Sequence, residues 1–228
     1  MKFGGTSVAD VDRIKIVRDI ISDEIRNGWN VVAVVSAMSK ETNKLINLAK
    51  KVGVESIVDP EYDSLISTGE DISSALLAIA LNSIGISSRS WRGWQLPIRT
   101  NSFHSNAKIE EIEITKLVEA FKRGSKVAVV SGFQGLEKSG RITTLGRGGS
   151  DTSAVAIAAA IDAERCDIYT DVSGIYTTDP RIKKNASKLK KISFEEMLEM
   201  ASLGANVLQT RAVELAMRHK VPITVLNS

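Results

Sequence analysis

Glycine, lysine and arginine occur together in two short segments whose composition is typical of anion-binding backbone. Lys2 precedes Gly4 and Gly5 in KFGGTS, ahead of a run with helical spacing. The second segment, GRGGSD, spans 146–151 and leads into an alanine-rich run. Bare N–H groups at the start of a helix attract anions, and a lysine adds a mobile positive charge. Both segments therefore predict phosphate or carboxylate binding, and a tight structural turn is the alternative for each.

The GRGGSD segment combines close backbone approach with charged and hydroxyl side chains. Arg147 can bind a carboxylate or phosphate through two parallel N–H bonds, and Ser150 can cap the following helix. Gly148 lets a ligand approach the backbone, and Asp151 carries a negative charge beside it. Neither the phosphate-loop signature G-x-x-x-x-G-K-[ST] nor the dinucleotide signature G-x-G-x-x-G fits this segment, so the anion must be bound in another way.

Two further polar segments accompany these glycines. Glu70 ends the segment STGE at the start of a predicted helix, where it can complement the helix dipole or bind the ammonium group of an amino acid. The segment YTDVSGIYTTDPR, at 169–181, follows a buried strand and suits a nucleoside, or is a turn-rich loop. His104 and His219 are the two histidines, too few for a histidine metal cluster and poorly placed for a catalytic triad.

Helical and strand patterns alternate along the chain and must position these segments. Apolar residues recur with helical spacing over 7–27, and the run VVAVVSAM, at 31–38, is typical of a buried parallel strand. Residues 132–145 predict a hairpin added to the sheet, and 88–108 predict a loop-rich lid or interface. The patterns predict further helices at 41–52, 62–83, 109–123, 151–163, 193–202 and 205–219, and strands at 127–132, 167–171 and 222–226.

Strands that alternate with long helices predict an α/β fold with a parallel sheet covered on both faces. In such a sheet, ligands bind beyond the carboxyl ends of the strands. Glycine, hydroxyl and charged residues concentrate in the loops that should lie there, at 3–7, 36–42, 67–71, 132–151 and 170–181. We expect these loops to line one shared crevice.

Composition limits the classes of partner. The 228 residues are 43% hydrophobic and 25% charged, with a net charge of +3, so nothing requires a nucleic acid or an acidic membrane. A single cysteine, Cys166, excludes an internal disulfide and fits a reducing compartment. The longest apolar run, 154–161, is too short to cross a bilayer. These features predict a cytoplasmic protein without nucleic-acid or membrane partners.

Six segments together resemble the aspartate kinases of the amino acid kinase family. They are KFGGTSVAD, SAM…TN, TGE, GRGGSDTSAVAIAAA, YTDVSGIYTTDPR and FEEMLEMASLGA, in the expected order through nearly the whole chain. The resemblance implies a three-layer α/β/α sandwich with a mainly parallel central sheet. It also implies ATP-dependent phosphorylation of the β-carboxylate of L-aspartate, the first step towards lysine, threonine and methionine.

The resemblance also assigns roles to individual residues. Lys2 and Asp151 would be catalytic, with Asp151 orienting Lys2 rather than removing a proton. The residues that would bind the nucleotide are Lys2, Phe3, Gly4, Gly5, Thr170, Asp171, Tyr176 and Arg181. Those that would surround the aspartate are Ser36, Thr42, Glu70, Arg147, Gly148, Ser150 and Asp151. Mg²⁺ would arrive on the ATP phosphates, so no metal ligands are expected from the protein.

The implied reaction agrees with the scarcity of histidine. A β-carboxylate is already ionised at neutral pH, so no general base is needed to make it a nucleophile. Phosphoryl transfer then depends on alignment and on neutralising the charge of the moving phosphoryl group. Lys2, the N–H groups of the glycine loops and the nucleotide-bound Mg²⁺ would supply that stabilisation.

Two features depart from the family pattern. Asn206 stands where many relatives carry a nucleotide-binding lysine, and family members usually continue beyond the position of Ser228 into two ACT-type regulatory domains. We therefore expect residues 1–228 to be a catalytic domain that lysine and threonine do not inhibit, acting as a homodimer or with a regulatory subunit. Two alternatives remain open. One is a kinase for glutamate, N-acetylglutamate or a nucleoside monophosphate, and the other is a weakly catalytic nucleotide-binding subunit.

Overall fold

The computed structural model describes residues 1–54, 56–178, 182–183, 185–203 and 207–228. The strands in these ranges are β1 Lys2–Phe3, β2 Val31–Val35, β3 Ser88–Trp91, β4 Ile98–Thr100, β5 Ile109–Ile112, β6 Val127–Ser131, β7 Gln134–Leu136, β8 Ile142–Thr144, β9 Cys166–Thr170 and β10 Ile223–Asn227. The helices are α1 Val11–Arg26, α2 Glu41–Val52, α3 Pro60–Ile66, α4 Thr68–Asn82, α5 Thr115–Lys122, α6 Gly149–Ala160, α7 Phe194–Ser202 and α8 Thr210–His219.

Six strands form one parallel sheet in the order β10-β9-β1-β2-β6-β3. Four shorter strands form a second sheet in the order β5-β4-β7-β8, in which β4 pairs antiparallel with β5 and parallel with β7. The predicted mainly parallel sheet is therefore confirmed. The predicted hairpin is also present as β7 and β8, but it belongs to the second sheet rather than to the main one.

Side chains from both faces of the six-stranded sheet are buried, which explains the continuous apolar runs in its strands. In β6, Val127 and Val129 pack into the cluster that includes residues of α1 and α4. Ala128 and Val130 alternate with them and pack into the opposite cluster, which includes residues of α5, α6, α7 and α8. Helices therefore cover both faces of the sheet, and the α/β/α sandwich is confirmed.

Helix boundaries follow local capping chemistry. The predicted helix 7–27 was placed to start too early, because Asp10 accepts a hydrogen bond from the Arg13 N–H at 2.8 Å and caps a helix that begins at Val11. Residues 5–8 form turns, so the chain is not yet helical at Ser7. Ser193 and Glu196 make the predicted capping box at the start of α7.

The predicted helix 62–83 is two helices, α3 and α4, which meet at Ser67. By length and composition alone, the run Pro60–Asn82 is long and apolar enough to cross a membrane. Half of an 18-residue apolar stretch within this run is buried inside the fold. The run also includes the buried acidic side chains of Asp63 and Glu70. Burial in a protein core explains the apolar composition of this run.

Two predictions that concern short strands were wrong. The first part of the predicted helix 109–123 is the strand β5, which pairs with β4, and only Thr115–Lys122 is helical. The predicted loop 88–108 contains the strands β3 and β4. These strands are three or four residues long, so they are too short to show a clear alternation, and their pairing partners are remote in sequence.

Candidate active site

The loops predicted to share a crevice adjoin one another at the carboxyl edge of the six-stranded sheet. Backbone hydrogen bonds run from the Gly4 N–H to the Tyr169 carbonyl at 3.2 Å and from the Ser36 N–H to the Phe3 carbonyl at 3.0 Å. A third runs from the Gly132 N–H to the Val35 carbonyl at 3.0 Å. These bonds connect the ends of β9, β1, β2 and β6, so the loops that follow these strands lie side by side.

A buried ion pair lies at the centre of this edge. Lys2 in β1 places its Nζ atom 2.7 Å from Oδ1 of Asp151 in the first turn of α6, and each side chain is 11% exposed. The two predicted catalytic residues are thus brought together across 149 positions of sequence. The pair is close enough for Asp151 to orient the lysine ammonium, and that role stays a prediction.

Phe3 contributes its backbone, not its side chain, to this edge. The Phe3 ring is fully buried and stacks on the Tyr169 ring, with 4.8 Å between the ring centroids. Adjacent side chains of a strand point to opposite faces, so the Phe3 ring packs into the core while Lys2 does not. Any contact between Phe3 and a ligand would therefore be made by its peptide groups.

The backbone of the Gly4–Gly5 turn runs close to the Lys2 ammonium and to the Ala37 carbonyl. A Cβ atom at Gly4 would lie 3.4 Å from the Lys2 Nζ atom, and one at Gly5 would lie 3.0 Å from the Ala37 carbonyl oxygen. The N–H groups of Gly5 and Thr6 find no acceptor within the described ranges. Because α1 begins six residues later, these turn amides, and not the start of that helix, are the donors that face the edge.

The glycine-arginine loop at 146–148 requires glycine at its last position. Gly148 has φ of 65°, and a Cβ atom there would lie 1.7 Å from Cγ of Gln209. Only glycine fits such a position. Arg147 is exposed and makes no hydrogen bond to the residues that the structure describes. The loop thus presents a free guanidinium on a backbone that tolerates no side chain at the next position.

Helix α6 begins directly after this loop, and the amides of its second and third residues are free in the described part of the chain. Gly148 occupies the N-cap position without a side-chain cap, so the predicted capping role of Ser150 is wrong. Ser150 lies inside the first turn, and its hydroxyl is 2.9 Å from the position of a Cβ atom on Gly132. The N–H groups of Ser150 and Asp151 make no hydrogen bond in the described part of the chain. They give the start of α6 the partial positive charge that attracts anions.

Glu70 provides a buried carboxylate on the first turn of α4. It is 4% exposed, and its Oε1 atom accepts a hydrogen bond from the Ala37 N–H at 3.1 Å. Its Oε2 atom is buried without a hydrogen-bond partner in the described residues. Burial raises the pKa of the Glu70 carboxyl to about 8. A buried oxygen without a donor is the place where a ligand ammonium group would fit.

Two further predicted aspartate contacts, Ser36 and Thr42, show no bond to this carboxylate in the described residues. Ser36 joins α4 through its carbonyl, which accepts a hydrogen bond from the Ser73 hydroxyl at 2.7 Å. Thr42 is half-buried in the first turn of α2. In the described ranges the side chains of Ser36 and Thr42 have no hydrogen-bond partner, so both hydroxyls are available to a ligand.

The predicted nucleotide loop follows β9 and is described in part. The Thr170 hydroxyl donates to the Asp171 carboxylate at 3.1 Å, and the hydroxyls of Ser173 and Tyr176 are 2.7 Å apart. Asp171 is exposed and Tyr176 is half-buried, so both can reach a ligand. Arg181 and Asn206 lie outside the described residues.

A polar network that the sequence analysis did not identify supports the first turn of α4. Asp71 accepts hydrogen bonds from the Ser131 hydroxyl at 2.9 Å and from the Gln134 amide at 2.8 Å. This network ties the helix that carries Glu70 to the end of β6. The one available signal was the position of Ser131 as the last residue of an otherwise apolar strand.

Comparison with known proteins identifies the family and supports the fold. The sequence profile of the amino acid kinase family matches residues 1–227, and the chain belongs to that family.

Several curated aspartate kinases are similar to this chain over its whole length. An aspartokinase of Geobacillus stearothermophilus is 51% identical over 227 residues, and an aspartate kinase of Pseudomonas fluorescens is 53% identical over 228 residues. In both comparisons the alignment covers 100% of this chain and 55% of the relative. The chain therefore spans about half the length of the curated relatives it matches.

Several solved structures share the fold of this chain. An aspartate kinase from Synechocystis superposes with a TM-score of 0.87 at 45% identity, over 99% of this chain and 37% of that one. Aspartokinase III of E. coli, solved in complex with aspartate and ADP, superposes with a TM-score of 0.88 at 30% identity, over 99% of this chain and 61% of that one. A uridylate kinase of Archaeoglobus fulgidus, at 20% identity and a TM-score of 0.69, shares the fold alone.

Proposed function

We propose that this chain is the catalytic domain of an aspartate kinase. An oxygen of the β-carboxylate of L-aspartate attacks the γ-phosphorus of ATP, the bond to the β-phosphate oxygen breaks, and ADP and 4-phospho-L-aspartate are formed. Sequence identity of 51–53% to aspartate kinases over the whole of this chain supports the proposal. The E. coli relative solved with aspartate and ADP supports the choice of acceptor and nucleotide.

The observation that carries the choice of acceptor is the unpaired, buried Oε2 atom of Glu70. An α-ammonium group would complete its hydrogen bonding and would stabilise the ionised carboxylate. N-acetylglutamate and a nucleoside monophosphate lack an α-ammonium, so they leave this oxygen unpaired. Arg147, which is exposed and free among the described residues, would bind a carboxylate of the same acceptor.

Phosphoryl transfer at this edge needs donors rather than a base. Lys2, fixed by Asp151 at 2.7 Å, would stabilise the charge on the transferring phosphoryl group. The free amides of Gly5 and Thr6 and the start of α6 would add neutral donors that need no reorganisation. Asp151 would act as a positioning residue because its carboxylate is engaged with the lysine.

Mg²⁺ is proposed as a companion of the nucleotide and not as a resident of the protein. Within the described residues, no group of three or more histidine, cysteine or acidic side chains could hold a metal ion. Mg²⁺ usually keeps its waters and binds through substrate phosphates, which agrees with this donor set. When bound on ATP, it would neutralise charge on the phosphates.

Other properties of the whole protein stay predictions. They include a catalytic domain over 1–228, a homodimer or a regulatory partner, insensitivity to lysine and threonine, and a cytoplasmic location. Tyr176, Thr170 and Asp171 are proposed to border the nucleotide, together with Arg181.

An acceptor panel tests the proposal. The chain is incubated with Mg-ATP and either L-aspartate, L-glutamate, N-acetylglutamate or UMP. Acyl phosphates are trapped as hydroxamates, and ADP formation is followed in parallel. The proposal expects hydroxamate from aspartate alone. Product from another acceptor would assign a different amino acid kinase, and nucleotide binding without turnover on any acceptor would favour the weakly catalytic subunit.

A further inference from the structure

Arg211 in α8 holds the strand end that leads into the glycine-arginine loop. Its Nη1 atom donates to the Leu145 carbonyl at 3.0 Å, and its Nη2 atom donates to the Asn106 side-chain oxygen. No carboxylate within the described ranges pairs with this guanidinium. The two Nη atoms of Arg211 therefore join two segments, at Leu145 and at Asn106, that are 39 residues apart.

The turn that carries Asn106 packs directly against the loop. A Cβ atom on Gly146 would lie 3.0 Å from the Ser105 carbonyl oxygen and 3.1 Å from the Asn106 side-chain oxygen. Ser105 has φ of 62°, which is unusual for a residue with a side chain. The turn is thus held in a costly conformation at the place where it contacts Gly146.

Asp63 in α3 also forms hydrogen bonds to these two segments, at Thr144 and at Ser105. Its carboxylate is fully buried and accepts hydrogen bonds from the Thr144 N–H at 2.8 Å and the Thr144 hydroxyl at 2.7 Å. It also accepts from the Ser105 N–H at 2.9 Å, and the His104 Nδ1 atom lies 2.9 Å away. Thr144 ends β8, one residue before Leu145, so two remote helices constrain adjacent residues.

We propose that Arg211 is a positioning residue that sets the backbone of the loop at 146–148, and through it the direction of the Arg147 side chain and the start of α6. The contacts around the loop support this role. Arg147 has no partner of its own in the described residues, so its aim depends on the backbone that carries it. That backbone is anchored by Arg211 at Leu145 and by Asp63 at Thr144. Gln209, two residues before Arg211, closes the far side of the loop at Gly148.

This inference rests on the proposed function for its kinetic consequence, because Arg147 is proposed to bind the acceptor carboxylate. Loss of the Arg211 fork would loosen the loop and weaken acceptor binding while leaving the nucleotide loop after β9 in place. Arg211 does not have to touch the substrate for this effect.

The test compares Arg211→Met with Arg218→Met. Arg218 lies in the last turn of the same helix, is exposed, and forms no ion pair in the described part of the chain. We expect the Arg211 variant to raise the KM for L-aspartate by on the order of tenfold, as loss of a charge-assisted hydrogen bond does, and to change the KM for ATP by less than about twofold. The Arg218 variant should match the wild-type chain in both constants.

A second readout does not depend on turnover. Amide hydrogen exchange is measured over 145–153, where the Gly149 N–H donates to the Gly146 carbonyl at 3.0 Å. Exchange of this segment should rise by about tenfold in Arg211→Met, and should be unchanged in Arg218→Met. Asn106→Ala, a change at an exposed position, should give a smaller rise in the same segment, because the bond from Arg211 to Leu145 remains.

The outcomes separate this inference from the proposed function. A wild-type chain that does not phosphorylate aspartate would overturn the proposed function, and hydrogen exchange would still decide whether Arg211 orders the loop. An active wild-type chain whose Arg211→Met and Arg218→Met variants share the same aspartate KM and the same exchange would overturn the positioning role. A uniform rise in exchange across the whole chain would also overturn it, because that result indicates general destabilisation.

Discussion

The two ends of the six-stranded sheet are built from different kinds of residue. At the carboxyl end, the charged side chains of Lys2, Glu70 and Asp151 are buried beside backbone amides without acceptors. At the amino end, apolar side chains that include Leu117 and Ile157 line a cavity of about 480 Å³.

Charged residues at the amino end mostly neutralise one another at the rim of that cavity. The Arg165 guanidinium donates to the Asp167 carboxylate at 2.8 Å and to the Glu24 carboxylate at 2.9 Å. At the carboxyl end, Glu70 and the amides of Gly5 and Thr6 keep unused hydrogen-bonding capacity, whereas at the amino end the described residues leave one buried carboxylate oxygen, Oδ1 of Asp167, without a hydrogen bond. The proposed site is therefore marked by a group of unpaired donors and acceptors at the carboxyl ends of the strands and not by the size of its cavity.

The largest effect is expected from Lys2→Met, which removes the only side-chain cation proposed to contact the transferring phosphoryl group. We expect kcat for hydroxamate formation to fall by about a hundredfold or more, as when one transition-state donor is lost. Circular dichroism must show a folded variant, because Asp151 stays buried without its partner. Lys15→Met, at an exposed position in α1 paired with Asp12, is the matched control and should retain wild-type kcat. A Lys2 variant with kcat within twofold of wild type would contradict the assignment.

A smaller effect is expected from Glu70→Gln, which keeps the shape of the side chain and removes its ability to ionise. The KM for L-aspartate should rise on the order of a hundredfold, because a substrate ammonium would lose a buried charged partner. The KM for ATP should stay near the wild-type value. Glu119→Gln, at an exposed position in α5, serves as the control. Equal aspartate KM values in the two variants would remove Glu70 from the acceptor site.

The raised pKa of Glu70 predicts a pH dependence of acceptor binding. Below pH 8 the ligand-free carboxyl is mostly protonated, and binding an ammonium group requires the ionised form. The KM for aspartate should therefore fall by about tenfold per pH unit between pH 6 and pH 8, and should level off above that range. In Glu70→Gln the aspartate KM should be flat over the same range. A wild-type KM that rises with pH would contradict the assignment.

The same shift affects stability in a definite direction. Because the folded pKa lies above the ordinary value of 4.5, the protonated form favours the folded chain. The contribution of Glu70 is complete below about pH 4.5 and is lost as the pH rises towards 8, where the folded carboxyl also ionises. Urea denaturation of the ligand-free chain and of Glu70→Gln across this range measures the difference.

The smallest effect on activity is expected from Ile157→Ala at the amino end. Ile157 is 1% exposed and lines the apolar cavity, so truncation should lower the free energy of unfolding by about 2–4 kcal/mol. The kcat of the folded variant should stay within about twofold of wild type at a temperature well below its midpoint. A loss of kcat comparable to that of Lys2→Met would erase the distinction between the two ends of the sheet.

Much of the six-stranded sheet is predictable because its strands are buried on both faces. Val31–Val35 and Val127–Ser131 appear in the sequence as continuous apolar runs flanked by helical patterns. The pairing of β4 with β5 in the second sheet was not recognised, because a strand such as Ile109–Ile112 places Ile, Glu, Glu and Ile in an order that also fits one helical turn. Pairing with β4 decides the conformation there, and that information is not local.

In the candidate site, too, some residues can be proposed from local sequence motifs and others cannot. Lys2, Glu70 and Asp151 could be proposed from the sequence because each lies in a short polar motif at a predicted strand or helix end. Their supports were not found, because Asp63 reaches Thr144 across 81 positions and Arg211 reaches Leu145 across 66. Such contacts join elements whose proximity follows from the whole topology.

The most direct measurement is the number of protons released when L-aspartate binds. Calorimetric titrations at pH 7 with saturating ADP, in two buffers of different ionisation enthalpy, give this number for the wild-type chain and for Glu70→Gln. If the substrate ammonium pairs with Glu70, binding ionises a carboxyl whose pKa is about 8, so close to one proton is released per aspartate by the wild type and none by the variant. Binding without proton release in the wild type, or with equal release in both proteins, would contradict the proposed site.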